Sequence, residues 1–256
     1  MAELVELLSE DRVALDVPAD TWQSAITAAG RLLEQAEVAE ADYTDSMIAN
    51  VESNGPYIVV APGFAFAHAR SSPAVHRTGM AWVRLSAPVA FGHKTNDPVT
   101  LVVALAATDA GAHTSAMAQL AAVLGDPERR EALDTAATAS EVMDLLGTDR
   151  TTTDTTSSAA KSNNVILTVC GNGLGTSLFL KNTLEKVLQN WGWAPYITVE
   201  ATDTISAKGK AKSADLILTS GEIARTLGDV GVPIKVIENF TSTAEVDNAL
   251  RDSYDV

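Results

Sequence analysis

Only one cysteine, Cys170, occurs in the 256 residues, so no disulfide forms within the chain and its usage fits a reducing compartment. No apolar run approaches the ~18 residues needed to cross a bilayer. The opening M-A-E-L-V-E lacks the basic n-region of a secretory leader. These absences predict a soluble, cytoplasmic protein. Basic residues are also few, with 18 Lys and Arg against 33 Asp and Glu for a net charge of −15. So acidic a balance argues against nucleic acid or an anionic membrane as the main partner. Most of the excess acid lies in the first 150 residues, which points that half towards a basic partner. Aromatic residues make up only 5%, while 46% of the chain is hydrophobic and rich in Ala and Val. That composition suits α/β packing and is enough for two modest cores.

The lone cysteine stands in the most informative stretch, V-I-L-T-V-C-G-N-G-L-G-T-S-L from Val165 to Leu178. Val165 to Val169 reads as a buried strand. Gly171, Gly173 and Gly175 follow on alternate positions, and a helical pattern then carries Leu178, Leu184, Val187 and Leu188 on one face. A strand, a Gly-rich loop and a helix start can aim several amides at a phosphate, and the helix dipole adds positive potential. The same features favour a thiolate. The plainer reading is a buried strand-end cysteine beside an ordinary turn. A phosphatase of this kind needs an arginine six residues after the cysteine, but Thr176 stands there and no Arg or Lys appears before Lys181. Hydrolysis would lack its main electrophile. Receiving and passing on a phosphoryl group needs less, but it needs a donor.

The first half offers one. Asp20 is expected to cap a helix with Trp22, Ile26, Ala29, Leu33 and Ala36 inward. A second helix is expected from Thr44 to Glu52, stopping near Asn54-Gly55-Pro56. Tyr57 to Val60 reads as a strand. In F-A-F-A-H-A-R, alternation sets Phe64, Phe66 and His68 on one side of an extended chain, although an isolated histidine is more often a satisfied core residue. Strands follow at Gly79 to Leu85 and Val99 to Ala106, the latter apolar enough to be central. His76 reads as an exposed loop residue and His93 as a turn residue. Thr108 to His113 opens a helix with Met117, Leu120 and Leu124 inward, and Gly125-Asp126-Pro127 ends it. His113 thus falls near the end of a central strand, where α/β proteins gather their sites. A last helix runs from Ser140 to Leu146.

Residues 148–164 hold no large apolar side chain and read as a Thr/Ser-rich flexible linker. Beyond them strands are expected at 165–169, 196–200, 215–219 and 234–237. Helices are expected at 176–190 and 222–227 and from Ser242, where Glu245 completes a capping box. Such alternation implies a parallel sheet with Cys170 at a carboxyl end.

Two long segments resemble a known family. V-C-G-N-G-L-G-T-S-L is similar to the phosphocysteine loop of enzyme IIB domains of the bacterial sugar phosphotransferase system. N-G-P-Y-I-V-V-A-P-G-F-A-F-A-H-A-R is similar to the active-site segment of enzyme IIA domains of the fructose–mannitol superfamily. Asn54 to Val60, F-G-H-K-T-N-D-P-V and D-T-I-S-A-K-G lean towards the ascorbate branch. The likeness covers nearly the whole chain apart from the linker. It implies an enzyme IIA-type mixed sheet flanked by helices at 1–147, a linker at 148–164 and an enzyme IIB-type four-stranded parallel sheet flanked by helices at 165–256. Two departures stand out: Ala67 replaces the usual proline before the histidine, which stiffens the approach, and Ala112 replaces an acidic residue before His113.

By this resemblance the chain is a phosphotransferase. His68 takes a phosphoryl group from a small phosphocarrier protein, His113 and Arg70 stabilise its charge, and Cys170 accepts it within a cradle of Gly171, Asn172, Gly173, Leu174, Gly175, Thr176 and Ser177. The group then passes to a sugar, ascorbate by the branch resemblance and a pentitol or galactitol-type substrate otherwise, held by a membrane enzyme IIC permease. The linker lets one domain swing between partners at about millimolar effective concentration. No metal or cofactor is called for. Enzyme IIA domains of the family often self-associate, which extends the expectation to a homodimer. The rival from another class is a regulatory module in which His68 phosphorylation reports carbon status, a role that needs no intact cysteine loop.

Overall fold

The computed structural model describes residues 4–147, 164–170 and 175–254. Two sheets organise it. In chain order the first half forms α1 (Leu4–Leu7), β1 (Val13–Val17), α2 (Trp22–Gln35), α3 (Ala41–Asn54), β2 (Val59–Ala61), β3 (Phe64–His68), β4 (Gly79–Val89), β5 (Val99–Ala106), α4 (Ala110–Leu124), α5 (Pro127–Thr135) and α6 (Ala139–Gly147). Its five strands lie in the order β1-β4-β5-β3-β2. The β1–β4 and β3–β5 pairs are parallel, and β4–β5 and β2–β3 are antiparallel. The sheet is therefore mixed. The apolar run V-T-L-V-V-A-L-A becomes β5, its central strand and buried almost throughout.

The second half forms β6 (Asn164–Cys170), α7 (Gly175–Asn190), β7 (Ile197–Asp203), α8 (Thr204–Lys210), β8 (Leu216–Thr219), α9 (Gly221–Leu227), β9 (Ile234–Val236) and α10 (Thr243–Tyr254). All of its strand pairs are parallel, in the order β7-β6-β8-β9. Strand-helix alternation forces this arrangement, because a parallel neighbour needs a crossover.

Several expected boundaries move. Thr21, not Asp20, caps α2: its hydroxyl accepts from the Ser24 amide while the Ser24 hydroxyl accepts from the Thr21 amide, a complete reciprocal cap. The β2 strand starts at Val59, because Tyr57 and Ile58 still belong to the turn after α3. Gly125-Asp126-Pro127 ends α4 but also starts α5, with the Asp126 carboxylate capping Glu128 and Arg129 and Pro127 in the first turn. Of the expected linker, residues 148–163 lie outside the described residues and Asn164 is the first residue of β6. Ser242 accepts from the Glu245 amide, but the Glu245 carboxylate turns to the Glu238 and Asn239 amides, so the box at α10 closes on one side only.

The two domains do not stand apart. Phe179 of α7 packs against Phe64 and Phe66 of β3, with ring centroids 5.9 and 6.0 Å away, and all three side chains are fully buried in one apolar cluster. β2 is an edge strand, and the Phe240 amide donates to its Val60 carbonyl at 2.9 Å. An edge that would otherwise face solvent is thus covered by the second domain. Beside it, Asn96 Nδ2 donates to the carbonyls of Val59 (3.1 Å) and Glu238 (2.7 Å), one in each domain.

Candidate active site

His68 closes β3, in register with Leu105 near the end of β5. Its ring lies on the same side as Phe66, 5.4 Å between centroids, as the alternation of the segment requires. The Nδ1 atom is 3.1 Å from the Phe66 carbonyl oxygen. A carbonyl only accepts, so Nδ1 carries the proton and the lone pair lies on Nε2. Burial holds the imidazole below its ordinary pKa of 6.5, although the Phe66 bond opposes this. A neutral imidazole with its lone pair on Nε2 is the nucleophilic form.

The strand end is held from behind. The Tyr43 hydroxyl donates to the Leu105 carbonyl at 2.7 Å and accepts from the Ala69 amide at 3.0 Å. It ties the residue after His68 to the neighbouring strand. Burial pushes this phenol up to about 12, so it stays a neutral donor. Arg70, two residues on, is exposed. His113 lies in the first turn of α4, which begins four residues after β5 ends, beside the carboxyl end of β3. Nothing of its side chain is described. His76 is exposed and pairs with Glu40 at 2.9 Å, away from this centre.

Cys170 ends β6, in register with Asp203. Its sulfur lies 3.5 Å from Ser177 Oγ and 3.9 Å from the Thr202 carbonyl. Thr176 and Ser177 are buried at the start of α7, and the Thr168 hydroxyl anchors that start by donating to the Ser177 carbonyl at 3.0 Å. Burial pushes the Cys170 thiol up, while hydrogen bonds from Ser177 and Thr176 pull it down. The net direction is opposite to the one expected from the loop alone, because burial removes water from the sulfur. Gly171, Asn172, Gly173 and Leu174 lie outside the described residues, and Gly175 is the first residue of α7.

His68 and Cys170 are 1% and 2% exposed, each at the carboxyl end of a parallel strand. The Tyr57 ring meets the His68 ring edge-on at 6.1 Å, and burial, with a smaller contribution from Cys170, raises its phenol above the ordinary range. His93 is a turn residue as expected, but it is buried. Its Nδ1 accepts from the Asn96 amide at 3.2 Å, and its Nε2 faces Glu238 of the second domain at 3.9 Å. The Asp97 carboxylate accepts from the amides of Phe91, Gly92 and His93. The segment F-G-H-K-T-N-D-P-V is therefore a tight loop that presents Asn96 and His93 to the second domain. Sequence reasoning missed that role, and it missed Tyr57.

A buried imidazole with its lone pair on Nε2, and a buried thiol at a strand-loop-helix junction, are two groups with the chemistry to accept a phosphoryl group. Residues 6–148 match the family described as phosphoenolpyruvate-dependent sugar phosphotransferase system, EIIA 2, and the chain belongs to it. Residues 165–252 match the family described as PTS system, Lactose/Cellobiose specific IIB subunit. The ascorbate-specific PTS system EIIA component of Shigella boydii serotype 4 (strain Sb227) is 38% identical over 151 residues, covering 58% of this chain and 97% of the relative. The component of the same name from Escherichia coli (strain K12) is 37% identical over the same span. A putative PTS IIA domain from Streptococcus pyogenes M1 GAS superposes with a TM-score of 0.52 at 32% identity, covering 57% of this chain and 95% of its own. A mannitol-specific cryptic enzyme IIA from Escherichia coli also gives 0.52, at 29% identity, covering 57% and 98%. EIIA and IIB units on one chain imply a phosphotransferase that relays a phosphoryl group to a sugar, working with a phosphocarrier and an enzyme IIC permease. Among the described residues no helix is long and apolar enough to cross a membrane.

Proposed function

We propose that the chain takes a phosphoryl group from a phosphocarrier on Nε2 of His68, passes it to the sulfur of Cys170 and delivers it to ascorbate held by an enzyme IIC permease. The observation that carries this reading is the burial of His68 and Cys170, each at the carboxyl end of a strand, with the His68 lone pair on Nε2. The Phe66 carbonyl keeps a proton on Nδ1. A phosphoryl group on Nε2 therefore leaves from a ring that becomes neutral imidazole, a better leaving group than an imidazolate. The Cys170 thiolate attacks phosphorus, its proton having gone to solvent while the domains were open. The S–P bond forms, the P–N bond breaks, and its electron pair returns to Nε2. Thr176 and Ser177, with the loop before them, hold the phosphoryl oxygens on sulfur. His113 and Arg70 are assigned to charge stabilisation on the histidine side.

Exclusion of water protects both labile phosphoryl linkages during transfer. It also means that the docked state is not the loading state, since a 1% exposed His68 is closed to a carrier. The domains, divided as 1–147 and 165–256, must separate to load and to deliver, and the segment between them keeps their effective concentration high. Ascorbate is supported by the likeness of the first domain to ascorbate-specific relatives. A cytoplasmic site beside the permease follows from the relay itself. The test is mass spectrometry of the full chain after incubation with phosphorylated carrier. Phosphate is expected on His68 and then Cys170, and a carrier-loaded protein with no phosphate on either residue would overturn the proposal.

A further inference from the structure

Tyr57 carries a buried hydroxyl that nothing so far explains. Its Oη atom is shielded from solvent and has no hydrogen-bond partner among the described residues. The residue as a whole is 3% exposed. A buried phenol normally finds a partner, because an unmet one bears the whole cost of its desolvation. Phenylalanine would fill the same space without that cost. The neighbouring Tyr43 shows the ordinary solution, with its hydroxyl bonded to Ala69 and Leu105.

The surroundings of Tyr57 indicate what its partner is. Its ring is fixed edge-on to His68 by the turn after α3, and Asn96 anchors the Val59 carbonyl two residues on. Burial raises the phenol, with a smaller contribution from Cys170 of the other domain, so it remains a proton donor at neutral pH. A phosphoryl group leaving His68 starts beside the Tyr57 ring.

We propose that the Tyr57 hydroxyl donates a hydrogen bond to an oxygen of the phosphoryl group as it moves from His68 to Cys170, a role that rests on the relay proposed above. No proton is transferred: the P–N bond breaks, the S–P bond forms, and Tyr57 keeps its hydrogen throughout. Among the described residues the hydroxyl is unmet, because its acceptor arrives only with the phosphoryl group. Interactions realised only during transfer are the ones that accelerate it.

The experiment uses the full chain, phosphorylated carrier and rapid quenching, with phosphohistidine and phosphocysteine read separately by mass spectrometry. In wild type, phosphate must reach Cys170 by way of His68; if it does not, the relay and this proposal both fall. With the relay established, Tyr57→Phe should accept phosphate on His68 at the wild-type rate but pass it to Cys170 about 10²-fold or more slowly, the size expected for one preorganised donor. Its unphosphorylated melting temperature should equal or exceed that of wild type, since no partner is orphaned. A purely structural tyrosine would give the reverse, a lower melting temperature with unchanged transfer. Wild-type transfer in Tyr57→Phe would overturn the proposal. If that variant does not fold, 3-fluorotyrosine at position 57 provides the second arm. Its more acidic phenol should alter the transfer rate and leave His68 loading alone, and an unchanged transfer rate would likewise overturn the role.

Discussion

The Nδ1–H of His68 donates to the carbonyl of Phe66, two residues back on the same strand, at 3.1 Å. Because this bond is local, it persists when the domains separate, so the ring meets the carrier with Nε2 as its only basic nitrogen. Phosphate should therefore sit on Nε2 and not on Nδ1. Coupling between phosphorus and ring nitrogen in ¹⁵N-histidine-labelled protein would distinguish the two, and a phosphorylated Nδ1 would show that the strand releases the ring before loading. His68→Ala should lose all carrier-dependent label, whereas His76→Ala should keep it.

Asn96 offers a way to open the docked state without touching either acceptor. Its side-chain amide is buried and donates to one carbonyl in each domain. Asn96→Ala leaves both carbonyls short of a donor, at a cost of about 1–3 kcal/mol. Only the Glu238 bond crosses between the domains, and since ~1.4 kcal/mol is tenfold in an equilibrium, the open fraction should rise roughly fivefold or more. Cys170 is the single cysteine, so its rate of reaction with a maleimide reads the open fraction directly. An unchanged rate would mean that the Phe179 contacts and the Phe240–Val60 bond hold the domains without it.

Docking should also depend on pH, in a direction set by both proposed acceptors. Burial lowers His68 below its ordinary 6.5, so between that value and its docked one the open form binds the extra proton. Docking is therefore weakened as pH falls below about 6.5. Cys170 is raised above its ordinary 9.0 by burial, so above that pH only the open form ionises freely, and docking weakens again. Maximum docking is expected between the two. Small-angle scattering across pH 5 to 10 measures the change in shape. His68→Gln should remove the acid limb and Cys170→Ala the alkaline one, and a flat profile in wild type would contradict the account.

Some of this was legible in the residues and some was not, for physical reasons. The apolar run of β5 can only be a buried strand, and V-I-L-T-V-C followed by alternate glycines can only be a strand entering a loop. β1 escaped because Asp16 sits in its V-A-L-D-V at a φ of 57°, a break that hides its period. α5 escaped because P-E-R-R-E-A-L-D-T buries only Leu133, too little for an apolar stripe. The interface was hidden for a deeper reason. Phe64, Phe66 and Phe179 each read as core of their own domain, and pattern alone does not say that two faces fill one another. Tyr57 was masked likewise, since a tyrosine before a strand is ordinary until its hydroxyl is seen to lack an acceptor.

The order of the relay is tested at the sulfur. Cys170 lies beside Ser177 and Thr176, and both hydroxyls interact with its thiol, so Cys170→Ser should preserve the shape of the cradle. It replaces a thiol that ionises in the open form with an alcohol that stays protonated near neutral pH, and with it goes the nucleophile. In that variant the first half of the chain is untouched, so His68 should load at its normal rate and then hold its phosphate. Delivery to sugar by membranes bearing the permease should stop. Adding a second chain with His68→Ala and an intact cysteine should restore delivery, because the held group can pass between molecules. That rescue should rise with protein concentration, whereas wild type should be indifferent to it, its two acceptors being tethered. If Cys170→Ser still delivered phosphate to sugar, the histidine would be passing it on directly. The buried thiol would then be a structural residue of the interface and not the second acceptor.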